Sequence, residues 1–379
     1  MIYFDHNATS PLSPAARQAW LNASAALIGN PSSPHRIGGR ASTALDTARE
    51  QVAGQIGAHP LDIVFTSGAT EANNLALHHF LQAAPAKLEA WISSLEHPSV
   101  LAPAQKLFGR RLREIPATPD GIADIHWLAA RLKKNRPAFV ALMAANNETG
   151  VLQPWAEAAS LCRSLGVPFF CDATQWLGKM PAQKIGACDF VSGSAHKFGG
   201  PRGVGFLKVP SGSRFYPQLF GGSQEEGRRA GTENVPGILA LAAALSAREK
   251  ETDQARGRRA RWRDQFELEV LTRLAGSRVL GAGRNRLWNT SSILLPPSDC
   301  RLRWVVKLDK AGFAASTGSA CASGNEAPSH VLSAMGIKPE AAGRVLRFSS
   351  GWDTTAADWK TLLEGLLQVA GEMSVPIRS

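Results

Sequence analysis

Lys197 is the residue in this chain best placed for covalent chemistry. It closes Ser194-Ala195-His196-Lys197, after the strand-like run Asp189-Phe190-Val191-Ser192-Gly193 and before the glycine-rich Phe198-Gly199-Gly200-Pro201. Partial desolvation at such a place lowers an amine's pKa and frees its lone pair, so the lysine could form a Schiff base. A lone His-Lys pair in a turn is otherwise an ordinary surface feature. Its weight comes from an upstream segment, Phe169-Phe170-Cys171-Asp172-Ala173-Thr174-Gln175, a second buried-strand pattern that ends in a carboxylate. Two neighbouring strands, one ending in Asp172 and one in Lys197, suit pyridoxal phosphate. The lysine would take its aldehyde, and the carboxylate would pair with its pyridinium nitrogen and keep the electron sink charged.

Other segments gain meaning from that pair. Thr66-Ser67-Gly68-Ala69-Thr70-Glu71 follows a strand and opens a helix. Backbone N–H groups at a helix N-terminus bind phosphate, Gly68 permits close approach, and Thr70 adds a hydroxyl; the same turn could be only an N-cap. His97, in Glu96-His97-Pro98-Ser99, could lie over a cofactor ring and carry protons, or could cap the next helix. Asn146-Asn147-Glu148-Thr149-Gly150 is a turn by composition that could aim an amide at cofactor or substrate. Arg347, in Gly343-Arg344-Val345-Leu346-Arg347-Phe348, is either a bidentate clamp for a carboxylate or half of an interdomain salt bridge. Cys321 lies among small, polar and glycine residues, Ala315-Ser316-Thr317-Gly318-Ser319-Ala320-Cys321-Ala322-Ser323-Gly324. That composition predicts a mobile, exposed loop, where a cysteine can serve as nucleophile if its thiolate is stabilised. The remaining cysteines, Cys162, Cys171, Cys188 and Cys300, are expected to be structural.

The elements that must position these residues alternate in kind. Helical spacing over Ala41–Ile56, Thr70–Gln82 and Pro154–Leu165 is interleaved with strand patterns over Asp62–Thr66, Leu88–Ser93, Ala138–Met143 and the run ending at Asp172. Such alternation predicts an α/β fold, a mostly parallel sheet with helices on both faces, with ligands beyond the carboxyl ends of the strands. Thr66, Asn146-Asn147, Asp172 and Lys197 all fall at those ends. After about residue 237 the texture changes. A long helical stretch, Ile238–Leu274, is expected to lead into a second, smaller domain of shorter strands and helices over Thr290–Leu295, Arg301–Ala311 and Thr354–Met373.

Size and composition set bounds. The 379 residues are 44% hydrophobic, enough for a sizeable core. Lys and Arg number 42 against 31 Asp and Glu, a net charge of +11. The basic residues cluster at Arg256–Arg263 and Gly109–Arg113. The first cluster lies on a helical pattern of mixed charge that reads as a solvated face, so direct nucleic-acid binding is not expected. Five cysteines without a Cys-x-x-Cys pair argue against a disulfide framework and for a reducing compartment. No metal site is expected. No signal-peptide pattern opens the chain, and no apolar stretch reaches the roughly 20 residues of a membrane span. A cytoplasmic protein with no membrane contact is expected.

Read together and in order, the motifs resemble those of the cysteine desulfurases, the NifS/IscS-like branch of the class V aminotransferase family. The motifs are Phe4-Asp5-His6-Asn7-Ala8-Thr9, Gly29-Asn30-Pro31-Ser32-Ser33, Phe65–Glu71, Glu96-His97, Asn146-Asn147-Glu148, Asp172-Ala173-Thr174-Gln175, Ser194–Lys197, Arg229-Ala230-Gly231-Thr232 and Gly318–Cys321. The resemblance implies the aspartate aminotransferase-like fold type I. It implies a large domain over 15–255 and a small α+β domain over 1–14 and 256–379, which carries the mobile cysteine loop, about 316–330. It also implies a role for each matched residue. Lys197 anchors pyridoxal 5'-phosphate and moves the substrate Cα proton. Asp172 pairs with the ring nitrogen, Gln175 bonds the ring oxygen, and His97 stacks on the ring. Ala69, Thr70, Ser194 and His196 bind the phosphate end. Thr232 reaches the phosphate of the other subunit's site, implying a homodimer. Asn30, Asn147 and Arg347 hold the substrate L-cysteine. Cys321 takes the sulfur as a persulfide, leaving alanine, and passes it to an acceptor protein for iron–sulfur cluster assembly or for tRNA or DNA thio-modification. A selenocysteine lyase or an aminotransferase on the same fold is the alternative. Three departures stand out. Ala195 replaces a frequent glycine, and Trp352 replaces a small-domain arginine. The chain also stops at Ser379 without the longer tail by which some members dock a scaffold protein.

Overall fold

The computed structural model describes residues 1–298, 303–317 and 329–378. Its centre is a seven-stranded sheet in the order Ile63–Thr66, Gly205–Lys208, Phe190–Ser194, Phe169–Asp172, Phe139–Ala141, Ala90–Ser93, Leu112–Ile115. All neighbours are parallel except Gly205–Lys208, which runs antiparallel to the strands on both sides. The inner strands are apolar at successive positions because both faces are covered. Along Ile63–Thr66, Ile63 and Phe65 enter one core and Val64 the other; along Phe169–Asp172, Phe169 and Cys171 enter the first core and Phe170 the second. Helices Arg36–Ile56, Trp155–Ser164 and Val235–Glu249 cover the first face, and Ala69–Ala83 and Pro98–Phe108 the second. The expected mostly parallel sheet is present, and its parallel strands deliver their carboxyl ends to one edge.

A separate core lies towards the C-terminus. Phe4, Phe266, Ile293, Trp304, Phe348 and Trp359 meet there, under a three-stranded antiparallel sheet of Arg278–Val279, Thr290–Leu294 and Val345–Ser349. The N-terminal residues Ile2–Tyr3 pair with Phe313–Ala314, and Phe4 enters this core.

The expected single helix over Ile238–Leu274 is two helices, Val235–Glu249 and Asp253–Arg273. The break comes at Thr252, whose side chain accepts the Ala255 N–H as an N-cap. It falls where the chain leaves one core for the other. The first helix packs on Pro14–Ala26 and Arg36–Ile56, the second on Ala356–Glu372.

The basic cluster on the second helix also departs from expectation, because it is not wholly a solvated face. Arg259 and Arg263 are buried. Arg259 donates to Glu251 and to the Trp352 carbonyl and lies over the Trp288 ring, while Arg263 reaches the Leu287 carbonyl. Trp352 takes a defined place in this seam. The Arg248 guanidinium sits 3.8 Å from its ring centroid, and Trp352 itself packs against the first core. Among the described residues no helix is long and apolar enough to cross a membrane.

Candidate active site

The carboxyl ends of five parallel strands open onto a cavity of about 580 Å³. Each strand delivers one group. Ile63–Thr66 runs into Ser67-Gly68 and the helix Ala69–Ala83, so that helix's N-terminus faces the cavity. Gly68 has φ 152°, in the region that favours glycine. The loop is drawn close to the sheet because a Cβ on Gly205 would stand 2.6 Å from Gly68 Cα. The next strand end brings His97, the next Met143, Ala145 and Asn147, then Asp172, then Ser194, His196 and Lys197.

Lys197 turns its Nζ onto backbone carbonyls of the N-terminal segment, 2.7 Å from Asn7 O and 2.8 Å from Ala8 O. Asp172 has one carboxylate oxygen accepting the Thr174 N–H at 2.9 Å and the other accepting Asn73 Nδ2 at 3.0 Å. His97 is at once a cavity residue and the cap of Pro98–Phe108, since its Nδ1 accepts the Ser99 N–H at 3.1 Å. The capping reading of that histidine therefore holds, and the same ring lines the cavity. Arg347 is buried, donates to the Asn147 carbonyl at 3.0 Å and pairs with Asp5 at 2.6 Å. It is therefore an ion-paired residue that also lines the cavity.

Burial dominates the electrostatics. It pushes the Glu96 carboxyl well above its ordinary range, and the nearby Asp172 charge adds to this. Glu148 is also raised, by burial first, although Ser329 and His330 pull the other way. Lys179, wholly buried, is pushed well below the usual lysine range by desolvation and then by Lys197 and Arg347. His196 falls to about 4, from burial first and then from Lys197, Arg202 and Lys179. His97 is also lowered, by burial first, with Asp172 opposing.

The cavity brings together Ala69, Thr70, His97, Asn147, Asp172, Gln175, Ser194, His196, Lys197 and Arg347 of the expected residues. Asn30 is not among them: it is exposed, and its side-chain oxygen accepts the Ser32 N–H at 2.9 Å within its own turn. Thr232 is exposed and lies off this chain's own cavity, on an arm pinned by Arg229 to Glu71 and by Arg49 to the buried Glu225. Cys321 and Cys300 lie outside the described residues, whereas Cys162, Cys171 and Cys188 are buried.

Sequence reasoning gave no role to the centre of the polar network. Asn7 accepts from Lys179 Nζ at 2.8 Å and donates to Thr290 Oγ1 at 2.9 Å, while its carbonyl also accepts Gln175 Nε2 at 2.9 Å. Lys179 further donates to Gln175 Oε1. Its only sequence signal is its place four residues after Gln175. Arg202 and His330 line the cavity as well.

Pyridoxal phosphate fits this residue set. A helix N-terminus with Thr70, Ser194 and His196 can receive the phosphate. A lysine amine and a carboxylate stand on adjacent strand ends. Thr174 Oγ1, in the cavity wall beside Asp172, is buried and without a partner among the described residues, leaving a donor and acceptor for a polar ring substituent.

Comparisons with known proteins agree with one another. The aminotransferase class-V family model matches residues 2–362. A cysteine desulfurase of Cereibacter sphaeroides is 41% identical over 377 residues, covering 98% of this chain and 96% of that protein. The solved NifS-like protein from Rickettsia africae superposes with a TM-score of 0.88 at 28% identity, covering 98% and 99% of the two chains. A structure of SspA in complex with cysteine superposes with a TM-score of 0.80 at 28% identity, covering 92% of this chain and 98% of that one. Matched by that family model over nearly its whole length and 41% identical to a relative that it covers almost completely, this chain belongs to the aminotransferase class-V family, among its cysteine desulfurases.

Proposed function

We propose that the chain is a pyridoxal-phosphate-dependent cysteine desulfurase that moves sulfur from L-cysteine to Cys321. The observation that carries this reading is the pairing of Lys197 and Asp172 at adjacent strand ends, in one cavity with Arg347 and Asn147. When bound, pyridoxal phosphate supplies an electron sink for negative charge at the substrate Cα. With it bound, Lys197 would anchor the aldehyde and move the Cα proton. Asp172 would hold the ring nitrogen in its protonated form. His97 would cover the ring, and Ala69, Thr70, Ser194 and His196 would hold the phosphate. Asn147 and Arg347 orient the substrate carboxylate, a role the guanidinium can share with its Asp5 pair. The Cys321 thiolate attacks the substrate sulfur. One C–S bond breaks, one S–S bond forms, and the carbon takes a proton. Cysteine and a thiol thus become alanine and a persulfide with no outside oxidant.

Reach supports the cysteine's part. Ser316 exchanges backbone hydrogen bonds with Arg347, at 3.2 and 2.7 Å, and Ser329 Oγ donates to the cavity residue Glu148 at 2.6 Å. Cys321 lies between Ser316 and Ser329 in the sequence. The reading also takes 15–255 as the cofactor-binding body and 1–14 with 256–379 as the smaller one, consistent with the helix break at Thr252. It takes the active unit as a homodimer in the cytoplasm, with the exposed Thr232 offered to the neighbouring site and an acceptor protein receiving the sulfur.

The test is the fate of L-cysteine with no keto acid present. The expected result is alanine, formed one for one with the sulfur transferred. Alanine that appeared only after pyruvate was added, with mercaptopyruvate as co-product, would instead mark an aminotransferase. Selenocysteine as the sole competent substrate would mark a lyase for that amino acid.

A further inference from the structure

Asn73 lies fully buried on the helix Ala69–Ala83, one turn beyond Thr70. Its Nδ2 is 3.0 Å from Asp172 Oδ2 and 2.8 Å from Ser99 Oγ. An ionised carboxylate can only accept, so the nitrogen of the amide must face Asp172, which settles the amide's orientation. The second amide proton goes to Ser99 Oγ, which leaves the serine proton for His97 Nδ1, 2.8 Å away. The Ser99 backbone N–H also points at Nδ1, so that nitrogen is an acceptor and Nε2 carries the proton of the neutral ring. One amide thus connects the carboxylate and the imidazole that line the cavity. Asn73 Oδ1 has no partner among the described residues. An asparagine kept only for packing would gain nothing from that, because an apolar side chain of similar shape would leave no polar atom stranded.

We infer that Asn73 is a positioning residue of the active site: it orients and holds the Asp172 carboxylate and, through Ser99, directs a hydroxyl proton onto His97. The inference rests on the reading that Asp172 and His97 meet a cofactor ring. It goes further in assigning a role to a residue that does not itself line the cavity.

The experiment compares Asn73→Leu and Ser99→Ala with the parent enzyme, in both holo- and apo-forms. Loss of a hydrogen bond to a charged group predicts that Asn73→Leu lowers kcat by about 10- to 100-fold with KM within about twofold. The pH midpoint of the cofactor's visible band should move with it. Ser99→Ala should leave that midpoint in place. In the apoenzyme both variants should raise the His97 pKa, followed by NMR of labelled histidine. Each removes or frees a donor that favours the neutral ring, while Asp172, Lys197 and His330, the charged and titratable groups facing His97 from other elements, are retained. A folded Asn73→Leu enzyme with parental kcat, parental band and parental His97 titration would overturn the inference. So would an unchanged His97 titration in Ser99→Ala, should the leucine variant fail to fold. If the parent protein took up no cofactor, the reading of the cavity would fail, and the apoenzyme titrations would still decide the Asn73–Ser99–His97 connection.

Discussion

Replacing Lys197 by alanine is expected to slow L-cysteine turnover by at least about a thousandfold while leaving the protein folded. Proton transfer at the substrate carbon and covalent anchoring of the cofactor aldehyde both fall on this one amine. No other lysine can stand in. Lys179, the other lysine of the network, is already committed to Asn7 and Gln175 and is wholly buried. The structural cost should be small. Two backbone carbonyls are among the amine's partners, and of these Asn7 O keeps its second donor, Gln175 Nε2. Thermal denaturation should therefore change little, and a small primary amine added to the solution should restore part of the rate. Full activity of Lys197→Ala, or no response to added amine in a folded, cofactor-bound variant, would remove Lys197 from the proton path.

Asp172→Asn is expected to cost about 10²- to 10³-fold in kcat, the size of loss seen when a preorganised electrostatic partner is removed. The shape is conserved but the charge is not. The new NH₂ must face either the Thr174 N–H or Asn73 Nδ2, both donors, so one hydrogen bond becomes a repulsion. Glu96 cannot take over the charge, because burial holds its carboxyl well above the ordinary range. The variant gives a sharp second reading. A cofactor analogue methylated on its ring nitrogen carries the positive charge permanently and should recover part of the lost rate. Equal loss with the natural and methylated cofactors would mean that Asp172 acts by some route other than the ring nitrogen's charge.

The part of the site that could be read from the sequence is the part that local pattern dictates. Asp172 ends, and Lys197 closely follows, a short apolar run of strand-like pattern, and the α/β alternation sends those ends to one edge. Thr70 and His97 sit at strand-to-helix turns for the same reason. The connections among them were not legible. Asn7 meets Lys179, Thr290 and Lys197 across contacts that no sequence spacing encodes. Asn73 reads as one more polar residue in a helix until the fold sets it against Asp172.

The second half of the chain shows a different limit. Arg259 and Arg263 share a helix face with Phe266 and Val270, by spacings of four, three and four residues. Their charge masked the stripe, although an arginine's stem and flat guanidinium pack well against Trp288. The break at Thr252 carried a capping signal, Thr252 before Asp253, inside a mixed-charge run that otherwise continues a helix. Asn30 shows that belonging to a family motif does not by itself place a residue in a cavity of the same chain.

The central claim, that this cavity delivers sulfur to Cys321, is tested most directly by the mass of the peptide containing that residue. The protein would be incubated with L-cysteine without reductant, quenched with a thiol-blocking reagent and digested. The account predicts that the Cys321 peptide gains the mass of one sulfur atom, that alanine accumulates in equal amount, and that Cys321→Ala retains the cofactor but forms neither. Sulfur found on another cysteine, or undiminished alanine formation by the Cys321→Ala protein, would contradict it.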